Sequence, residues 1–182
     1  PHVAYPPPPT AAPAAGVDIV FGTVPTALGR LLVAATERGI CRVMLGENAA
    51  TLEADLRREF DAASVRPEKG GRLAGYVEAI LSYLEGREPH LDLPLDIRAT
   101  AFQRRVWQEL QRIPFGETRT YTQVARAIGS PTATRAVARA CATNPAALVI
   151  PCHRVVREDG TMGGYRWGVE RKEWLLERER DG

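Results

Sequence analysis

Cysteine and histidine, the residues that most often cross-link small domains or bind metal ions, are scarce in this chain. Its 182 residues contain three of each. The cysteines, Cys41, Cys141 and Cys152, are odd in number and none belongs to a CxxC pair. This argues against a disulfide framework and against a closed zinc site. Free thiols persist in a reducing compartment, so we expect a cytoplasmic protein without a bound metal.

Long apolar runs and a large net charge are also lacking. No apolar stretch approaches the roughly 18 residues that a membrane-spanning helix needs, and no charged-then-apolar signal pattern opens the chain. We therefore expect no membrane association. The net charge of +2 is too small to indicate a nucleic-acid partner by itself, so a basic surface requires local clustering. Basic residues do cluster in the last third, at Arg135, Arg139, Arg154, Arg157, Arg166, Arg171 and Lys172.

The chain lacks an initiator methionine and opens on a proline-rich segment. Residues 1–16 combine Tyr5-Pro6-Pro7-Pro8-Pro9 with an alanine and proline mixture, a composition typical of extended linkers. We expect a linker here, in a fragment of a longer chain or a processed chain. A trimmed expression product would look the same.

Apolar periodicity divides the rest of the chain into two expected domains, 17–98 and 99–182. In the first, residues 19–45 predict a three-stranded meander, followed by two amphipathic helices. The alternating stretch 91–97 predicts a last strand, near a sheet edge because its proline cannot donate a hydrogen bond. In the second domain, three N-cap patterns predict helix starts: Thr100 with Gln103, Thr120 with Gln123, and Ser130 before Pro131.

Two of these helices surround a glycine turn, which is a helix-turn-helix pattern but a weak signal alone. The helix after the turn is more informative, because Arg135 and Arg139 share one face and alanines such as Ala136 keep its surface thin. Such a helix can approach a phosphate backbone or a groove. The alternative is an alanine-rich helix that packs against a neighbour and leaves its arginines in water. Cys141 falls with Val137 by helical spacing and is expected in the core.

The stretch 148–156 reads as a buried, largely β-branched strand interrupted by a thiol, an imidazole and a guanidinium. Burying three such groups is costly unless each has a partner or a role. His153 could draw the proton from Cys152 through a water and so generate the nucleophilic thiolate. Pro151 would end or bend the strand where the sulfur is presented. The alternative is an inert buried cysteine at a strand end.

Two further elements follow this stretch. Gly163-Gly164-Tyr165-Arg166-Trp167-Gly168 is a glycine-rich loop with two aromatic rings, which can wrap a flat ring but also resembles any tight connection. Residues 169–180 predict an amphipathic helix with Trp174, Leu175 and Leu176 toward the core. Glu179 lies in this helix and could reach His153 only if the helix folds back over it.

Pro151-Cys152-His153-Arg154-Val155 resembles, without a mismatch, the active-site signature of the O6-alkylguanine-DNA alkyltransferases. The resemblance runs from about Asp18 to Glu179, is densest from Thr100 onward, and is greatest to the C-terminal domain of Ada-type members. It rests on further segments: Leu93-Pro94-Leu95-Asp96-Ile97-Arg98, Ile113-Pro114, Gly116-Glu117-Thr118, Arg135-Ala136-Val137-Ala138 and Gly164-Tyr165-Arg166-Trp167-Gly168.

The resemblance implies an α+β fold, in which an N-terminal ribonuclease-H-like α/β unit precedes a mainly helical domain with a helix-turn-helix. It also implies direct DNA repair by a single-turnover, irreversible transfer of an alkyl group to the protein's own cysteine. The substrate would be O6-alkylguanine, and also O4-alkylthymine, flipped out of double-stranded DNA that is contacted in its minor groove. No cofactor is implied, and the protein would be a monomer.

Residue roles carry over by motif. Cys152 would accept the alkyl group, His153 would be the base acting through a water, and Glu179 would hold the imidazole in the useful tautomer. Asn144 would be a hinge residue, and Tyr121 would donate a hydrogen bond to the purine. The DNA-binding residues would be Thr120, Tyr121, Arg135, Ala136 and Arg139, with Arg135 filling the gap left by the extruded guanine. The substrate pocket would comprise Cys141, Val155, Tyr165, Arg166 and Trp167.

Two other functional classes remain open at the sequence level. In a non-catalytic DNA-binding or regulatory module, Cys152 would sense redox state. A cysteine hydrolase would turn over, which a stable thioether does not permit. Transfer of a label from alkylated DNA to Cys152 distinguishes the alkyltransferase from both.

Overall fold

The computed structural model describes residues 16–182, which form two compact units. One unit contains the described residues up to 98 together with 145–149, and the other contains 99–144 and 150–182. All but the last residue of the predicted linker lies outside the described part. The expected second domain, 99–182, is interrupted by 145–149 because this segment pairs with the first unit. The N–H of Val43 donates to the Pro145 carbonyl at 3.0 Å, and the N–H of Ala147 donates to the Val43 carbonyl at 3.1 Å.

The first unit is built on a four-stranded sheet with two helices. Its strands are β1 (Asp18–Thr26), β2 (Gly29–Ala35), β3 (Ile40–Gly46) and β4 (Ser64–Pro67), in the order β3-β2-β1-β4. The helices are α1 (Ala49–Glu59) and α2 (Gly71–Leu84). The predicted antiparallel meander of the first three strands is confirmed. β4 pairs in parallel with β1 and was not predicted, because four residues with one large apolar side chain carry no periodicity.

One core cluster of this unit lies between the sheet and α1. Leu52 and Leu56 project from one face of α1 into a cluster that includes Ile19, Phe21 and Leu32. These residues are each at most 5% exposed, so most of their apolar surface is removed from water. Both helices predicted in this unit are confirmed, over Ala49–Glu59 and Gly71–Leu84.

The strand predicted over residues 91–97 is wrong. Only an isolated bridge forms there, between Ile40 and Leu95. The N–H of Ile40 donates to the Pro94 carbonyl and the N–H of Asp96 donates to the Ile40 carbonyl, each at 2.8 Å. No further residue of this segment pairs with a strand. The alternation of apolar and polar residues arises because the segment is extended and half-buried.

The second unit is mainly helical. Its helices are α3 (Ala101–Gln111), α4 (Tyr121–Ala127), α5 (Thr134–Ala142) and α6 (Val169–Asp181). Two short strands, β5 (Arg119–Thr120) and β6 (Val155–Val156), pair in parallel, and a 3₁₀ turn covers Cys152–Arg154. Both predicted capping boxes are confirmed, since Thr100 and Gln103, and likewise Thr120 and Gln123, exchange side-chain and backbone hydrogen bonds.

The start predicted for the third helix of this unit is wrong. α5 begins at Thr134 and not after Ser130, and its N-cap is Ala133. Ser130 N–H instead donates to the Ala125 carbonyl, and Ala133 N–H donates to the Ser130 carbonyl, both at 2.9 Å. Ser130 and Pro131 thus form the turn that separates α4 from α5.

The buried strand predicted over 148–156, with an end or bend at Pro151, forms only at Val155–Val156, although every residue of the stretch is buried. Leu148 has a φ of 72°, and the N–H of Val149 donates to the Ala147 carbonyl at 2.8 Å. A positive φ is uncommon for a residue with a branched side chain and is incompatible with a strand. Strand geometry appears only at Val155–Val156.

None of the helices within residues 16–182 is long and apolar enough to cross a membrane. In the same range, no group of three or more histidine, cysteine, aspartate or glutamate side chains is placed to hold a metal ion.

Candidate active site

The thiol of Cys152 lies at the start of the buried 3₁₀ turn and contacts the amide of Asn144. The Asn144 side chain donates through Nδ2 to the Ile150 carbonyl at 2.8 Å, and the same nitrogen lies 3.1 Å from Cys152 Sγ. Asn144 is 0% exposed and Cys152 is 3% exposed. The residue expected to be a hinge therefore fixes the backbone before the cysteine and also touches its sulfur.

His153 and Glu179 meet because α6 folds back over the 3₁₀ turn. His153 Nε2 is 2.8 Å from Glu179 Oε1. Both side chains are buried, at 0% and 2% exposure. The contact that the sequence left conditional on the course of the last helix is thus present.

Arg154 is a third member of this cluster, although no role was predicted for it. Its Nε lies 3.0 Å from both carboxylate oxygens of Glu179, and its Nη2 donates to Oε1 at 2.7 Å. Its Nη1 donates to the Ile113 carbonyl at 2.8 Å. The carboxylate of Glu179 therefore contacts His153 and Arg154 at the same time.

Lys172 is the second residue that sequence reasoning missed. It is 0% exposed, and its Nζ donates to the Val155 carbonyl at 2.6 Å and to the Gly164 carbonyl at 3.1 Å. The buried face of α6 consists of Lys172, Leu175, Leu176 and Glu179. Their spacing of three, one and three residues is that of an apolar helix face, which was the available signal. Trp174, expected in the core, is only half-buried.

Electrostatics keep both the thiol and the imidazole neutral. Burial raises the pKa of Cys152 to about 11, and this is partly offset by the hydrogen bond from Asn144 and by the charges of Lys172 and Arg166. Burial lowers the pKa of His153, opposed by its hydrogen bond to Glu179. Burial also lowers the pKa of Lys172 to about 8. A reaction at the sulfur must therefore remove its proton, and a neutral imidazole is able to accept one.

Tyr121, the first residue of α4, lies beside the glycine-rich loop. Burial raises the pKa of its phenol to about 12, so the hydroxyl keeps its proton. The backbone of Gly163 packs against that hydroxyl so closely that a Cβ there would lie 2.9 Å from Tyr121 Oη. Lys172 Nζ is 5.9 Å from the centre of the Tyr121 ring.

The loop after β6 is fixed by hydrogen bonds and ring packing. Arg166 Nη1 donates to the Asn144 carbonyl at 2.6 Å. The rings of Tyr165 and Trp167 pack edge to face with centroids 5.4 Å apart. Val155 is fully buried, and Cys141 is buried on α5 with Val137, as its spacing predicted.

The residues expected to bind DNA lie at the N-terminus of α4, including its N-cap Thr120, and on α5. Arg135 and Arg139 are both exposed and Ala136 is half-buried. The Thr120 hydroxyl accepts the Gln123 N–H at 3.1 Å as the N-cap of α4, which places Tyr121 in the first turn of that helix.

Comparison with known families matches nearly all of the described chain. The model described as "6-O-methylguanine DNA methyltransferase, ribonuclease-like domain" matches residues 19–97. The model described as "6-O-methylguanine DNA methyltransferase, DNA binding domain" matches residues 101–181. The chain belongs to this methyltransferase family. The expected α+β fold with a ribonuclease-like first domain is thereby confirmed.

Relatives within the family agree in sequence and in structure. The methylated-DNA--protein-cysteine methyltransferase of Methanosarcina barkeri is 37% identical over 159 residues, which cover 87% of this chain and 96% of the relative. The crystal structure of Mycobacterium tuberculosis O6-methylguanine methyltransferase superimposes with a TM-score of 0.76 at 33% identity, covering 90% of this chain and 93% of that one. The same organism's OGT in complex with DNA gives a TM-score of 0.76 at 34% identity, covering 91% and 94%.

Longer relatives also match. The bifunctional transcriptional activator/DNA repair enzyme Ada of Escherichia coli is 55% identical over 152 residues, which cover 84% of this chain but 43% of that protein. The regulatory protein ada of Salmonella typhimurium is 48% identical over 163 residues, which cover 90% of this chain and 46% of that protein. The chain thus spans less than half the length of these two members.

Proposed function

We propose that this member of the methyltransferase family repairs DNA directly, by moving the alkyl group of O6-alkylguanine onto Cys152 Sγ. One observation carries the proposal. A buried thiol touches Asn144 Nδ2 at 3.1 Å, and the next residue along the chain is a buried imidazole paired with Glu179 at 2.8 Å. This combination supplies a nucleophile and an oriented base in a site shielded from bulk solvent. O4-alkylthymine presents the same alkyl–oxygen bond and is proposed as a second substrate.

The reaction is one displacement. Glu179 accepts the Nε2 proton of His153, which leaves the lone pair on Nδ1 to take the Cys152 proton through a water. The sulfur attacks the alkyl carbon, so that an S–C bond forms as the C–O6 bond breaks. The electron pair of that bond remains on guanine, and a proton equivalent to the one lost by the thiol neutralises the base. Tyr121, whose hydroxyl stays protonated, stabilises the departing purine with a hydrogen bond.

Three groups favour the thiolate while it exists. Asn144 donates to sulfur, and the charges of Lys172 and Arg166 both lower the pKa of Cys152 against the larger effect of burial. Because these groups are already in place, little reorganisation accompanies formation of the anion. Lys172 is therefore proposed as an electrostatic contributor that the signature motif alone does not include.

The alternatives fit the site less well. Redox-sensing cysteines have exposed thiols of low pKa, whereas the Cys152 thiol is buried and its pKa is raised to about 11. A hydrolase must release its covalent intermediate, but a thioether offers water no leaving group. One turnover per chain follows from the chemistry.

Double-stranded DNA is the proposed partner, bound by one copy of the chain. The second family model is described as a DNA binding domain, and the similar M. tuberculosis protein has been crystallised with DNA. Arg135 and Arg139 lie exposed on α5, whose other exposed or half-buried residues are small enough for a minor groove. We propose that Arg135 occupies the gap left by the flipped base, with Ala136 against the groove and Thr120 and Tyr121 beside it. Cys141, Val155, Tyr165, Arg166 and Trp167 would enclose that base.

Arg139→Ala is expected to weaken DNA binding by removing one phosphate contact. Each contact releases condensed counterions, so the slope of log K against log salt concentration should become less steep by about 1. Titration of a labelled duplex at several salt concentrations measures this slope. Arg112→Ala, which removes the same charge from the exposed residue after α3, should leave the slope unchanged. An unchanged slope in Arg139→Ala would place the DNA on another surface.

The proposed function is tested by intact mass measurement after mixing the chain with a duplex that contains one O6-methylguanine. We expect one added methyl group per chain, mapped to the peptide with Cys152, and no further addition with excess DNA. An unmodified protein would contradict the proposal, and so would a methyl group on Cys41 or Cys141.

A further inference from the structure

The guanidinium of Arg154 and the imidazole of His153 share one buried carboxylate. Glu179 Oε1 lies 2.8 Å from His153 Nε2, 3.0 Å from Arg154 Nε and 2.7 Å from Arg154 Nη2, while Oε2 lies 3.0 Å from Arg154 Nε. The three side chains are at most 10% exposed. A buried ion pair of this kind is a weak source of stability, which raises the question of what else it does.

The geometry fixes the carboxylate rather than only neutralising it. The guanidinium is planar and presents its donors in a rigid fork, so hydrogen bonds to both oxygens define the plane of the carboxylate. The fork is itself anchored, because Nη1 donates to the Ile113 carbonyl at 2.8 Å. The Phe115 ring lies 5.9 Å from the guanidinium carbon. Oε1 is thereby held on the side facing His153.

The same contact offsets the charge of Glu179 next to the imidazole. An unpaired carboxylate would favour a protonated imidazole, which could no longer accept a proton from the thiol. The charge of Lys172, which lies on α6 with Glu179, also lowers the pKa of His153. From the segment after α3, the neutral Ile113 carbonyl and Phe115 ring face the arginine.

We propose that Arg154 is a positioning residue for alkyl transfer, which orients the Glu179 carboxylate toward His153 Nε2 and offsets its charge. The inference rests on the proposed function. In this arrangement Glu179 selects the tautomer of His153 without drawing a proton onto the ring. His153 can then pass on the thiol proton rather than retain it.

The test compares Arg154→Gln and Arg154→Lys in single-turnover methyl transfer as a function of pH. In Arg154→Gln, the unpaired carboxylate raises the pKa of His153, so the limb on which activity falls with decreasing pH should move to higher pH. The rate at its plateau should fall about 100-fold, because the base is no longer held in place. Arg154→Lys keeps the charge and should retain the wild-type position of this limb at a reduced rate. Burial lowers the pKa of Lys172 to about 8 and raises that of Cys152 to about 11, so both lie on the alkaline side of this limb.

Controls separate positioning from folding. Arg112→Gln removes an exposed charge beside the Ile113 anchor and should leave both rate and pH profile unchanged. Thermal unfolding identifies variants that fail to fold. If the Arg154 variants do not fold, the ¹⁵N chemical shifts of the His153 ring in the wild-type chain test the proposal instead. A proton on Nε2 agrees with the proposal, whereas a proton on Nδ1 overturns it.

If Arg154 only stabilised the fold, a folded Arg154→Gln variant would show the wild-type rate and an acidic limb of the pH profile at the wild-type pH. That result would also overturn the inference. Failure of the proposed function itself looks different, because the wild-type chain would then transfer no methyl group at any pH.

Discussion

Gly163→Ala is expected to slow alkyl transfer by about 100-fold, as a displacement of about 1 Å at a reacting centre can do. A Cβ at this position would lie 2.9 Å from Tyr121 Oη and 3.1 Å from Tyr121 Cε2, and the backbone there has a φ of +69°. The added methyl group cannot fit against the phenol where it lies, so the Tyr121 ring and the loop must move apart. Since the Tyr121 hydroxyl is proposed to assist the departing guanine, single-turnover rates at saturating DNA measure the effect.

Gly164→Ala is the matched control, because nothing lies within 4 Å of the Cβ it would add. It should transfer at close to the wild-type rate. Tyr121→Phe should be slow in the same way, and adding Gly163→Ala to it should cost little more, since both changes remove one interaction. Equal rates for the two glycine variants would show that this packing does not position the phenol.

Local sequence signals predicted those parts of the second unit whose geometry depends on residues close by in the sequence. The two capping boxes are an example, because Thr100 and Thr120 find their partners three residues later. Ser130 carried a similar signal, yet its carbonyl accepts from Ala133 in a turn and α5 starts later. An N-cap residue type is thus consistent with a turn as well as a helix start.

In residues 148–156, the sequence predicts burial but not backbone conformation. Apolar composition correctly indicated that residues 148–156 are buried. It could not indicate that Leu148 has a φ of 72°, which depends on the contacts that hold it there. The bend lets Ile150 accept the hydrogen bond of Asn144 and brings Sγ to the same nitrogen.

The charged partners of the site depend on contacts between distant segments. Arg154 and Glu179 are 25 residues apart, and Arg154 and Ile113 are 41 apart. No local pattern links such positions, so the signature motif suggested Cys152 and His153 but left Arg154 without a role. The helical spacing of Lys172 from Leu175 and Leu176 places it on the buried face of α6. This spacing would have identified Lys172 if a lysine had been considered on a buried face.

Asn144→Asp is expected to have the second large effect, a loss of transfer of about 10³-fold at neutral pH. The substitution replaces a donor 3.1 Å from Cys152 Sγ with a carboxylate in a site that is 0% exposed. Two like charges at about 4 Å repel by about 4 kcal/mol at an effective dielectric of 20, equivalent to about 10³ in rate if the thiolate must form. The Ile150 carbonyl also loses its side-chain donor, so the turn before the cysteine is less constrained.

Stability and chemistry can be separated with a second buried amide in the same unit. Gln103 is 1% exposed, completes the capping box of α3 and donates to Thr143 Oγ1 at 3.3 Å. Gln103→Ala should lower the free energy of unfolding by about 1–2 kcal/mol and leave the transfer rate per folded chain unchanged. The transfer rate of Asn144→Ala should lie between those of Asn144→Asp and Gln103→Ala, because this change removes the donor without adding a charge. If Asn144→Asp were as active as Gln103→Ala, the amide would serve only the fold, and the sulfur would need another source of stabilisation for its anion.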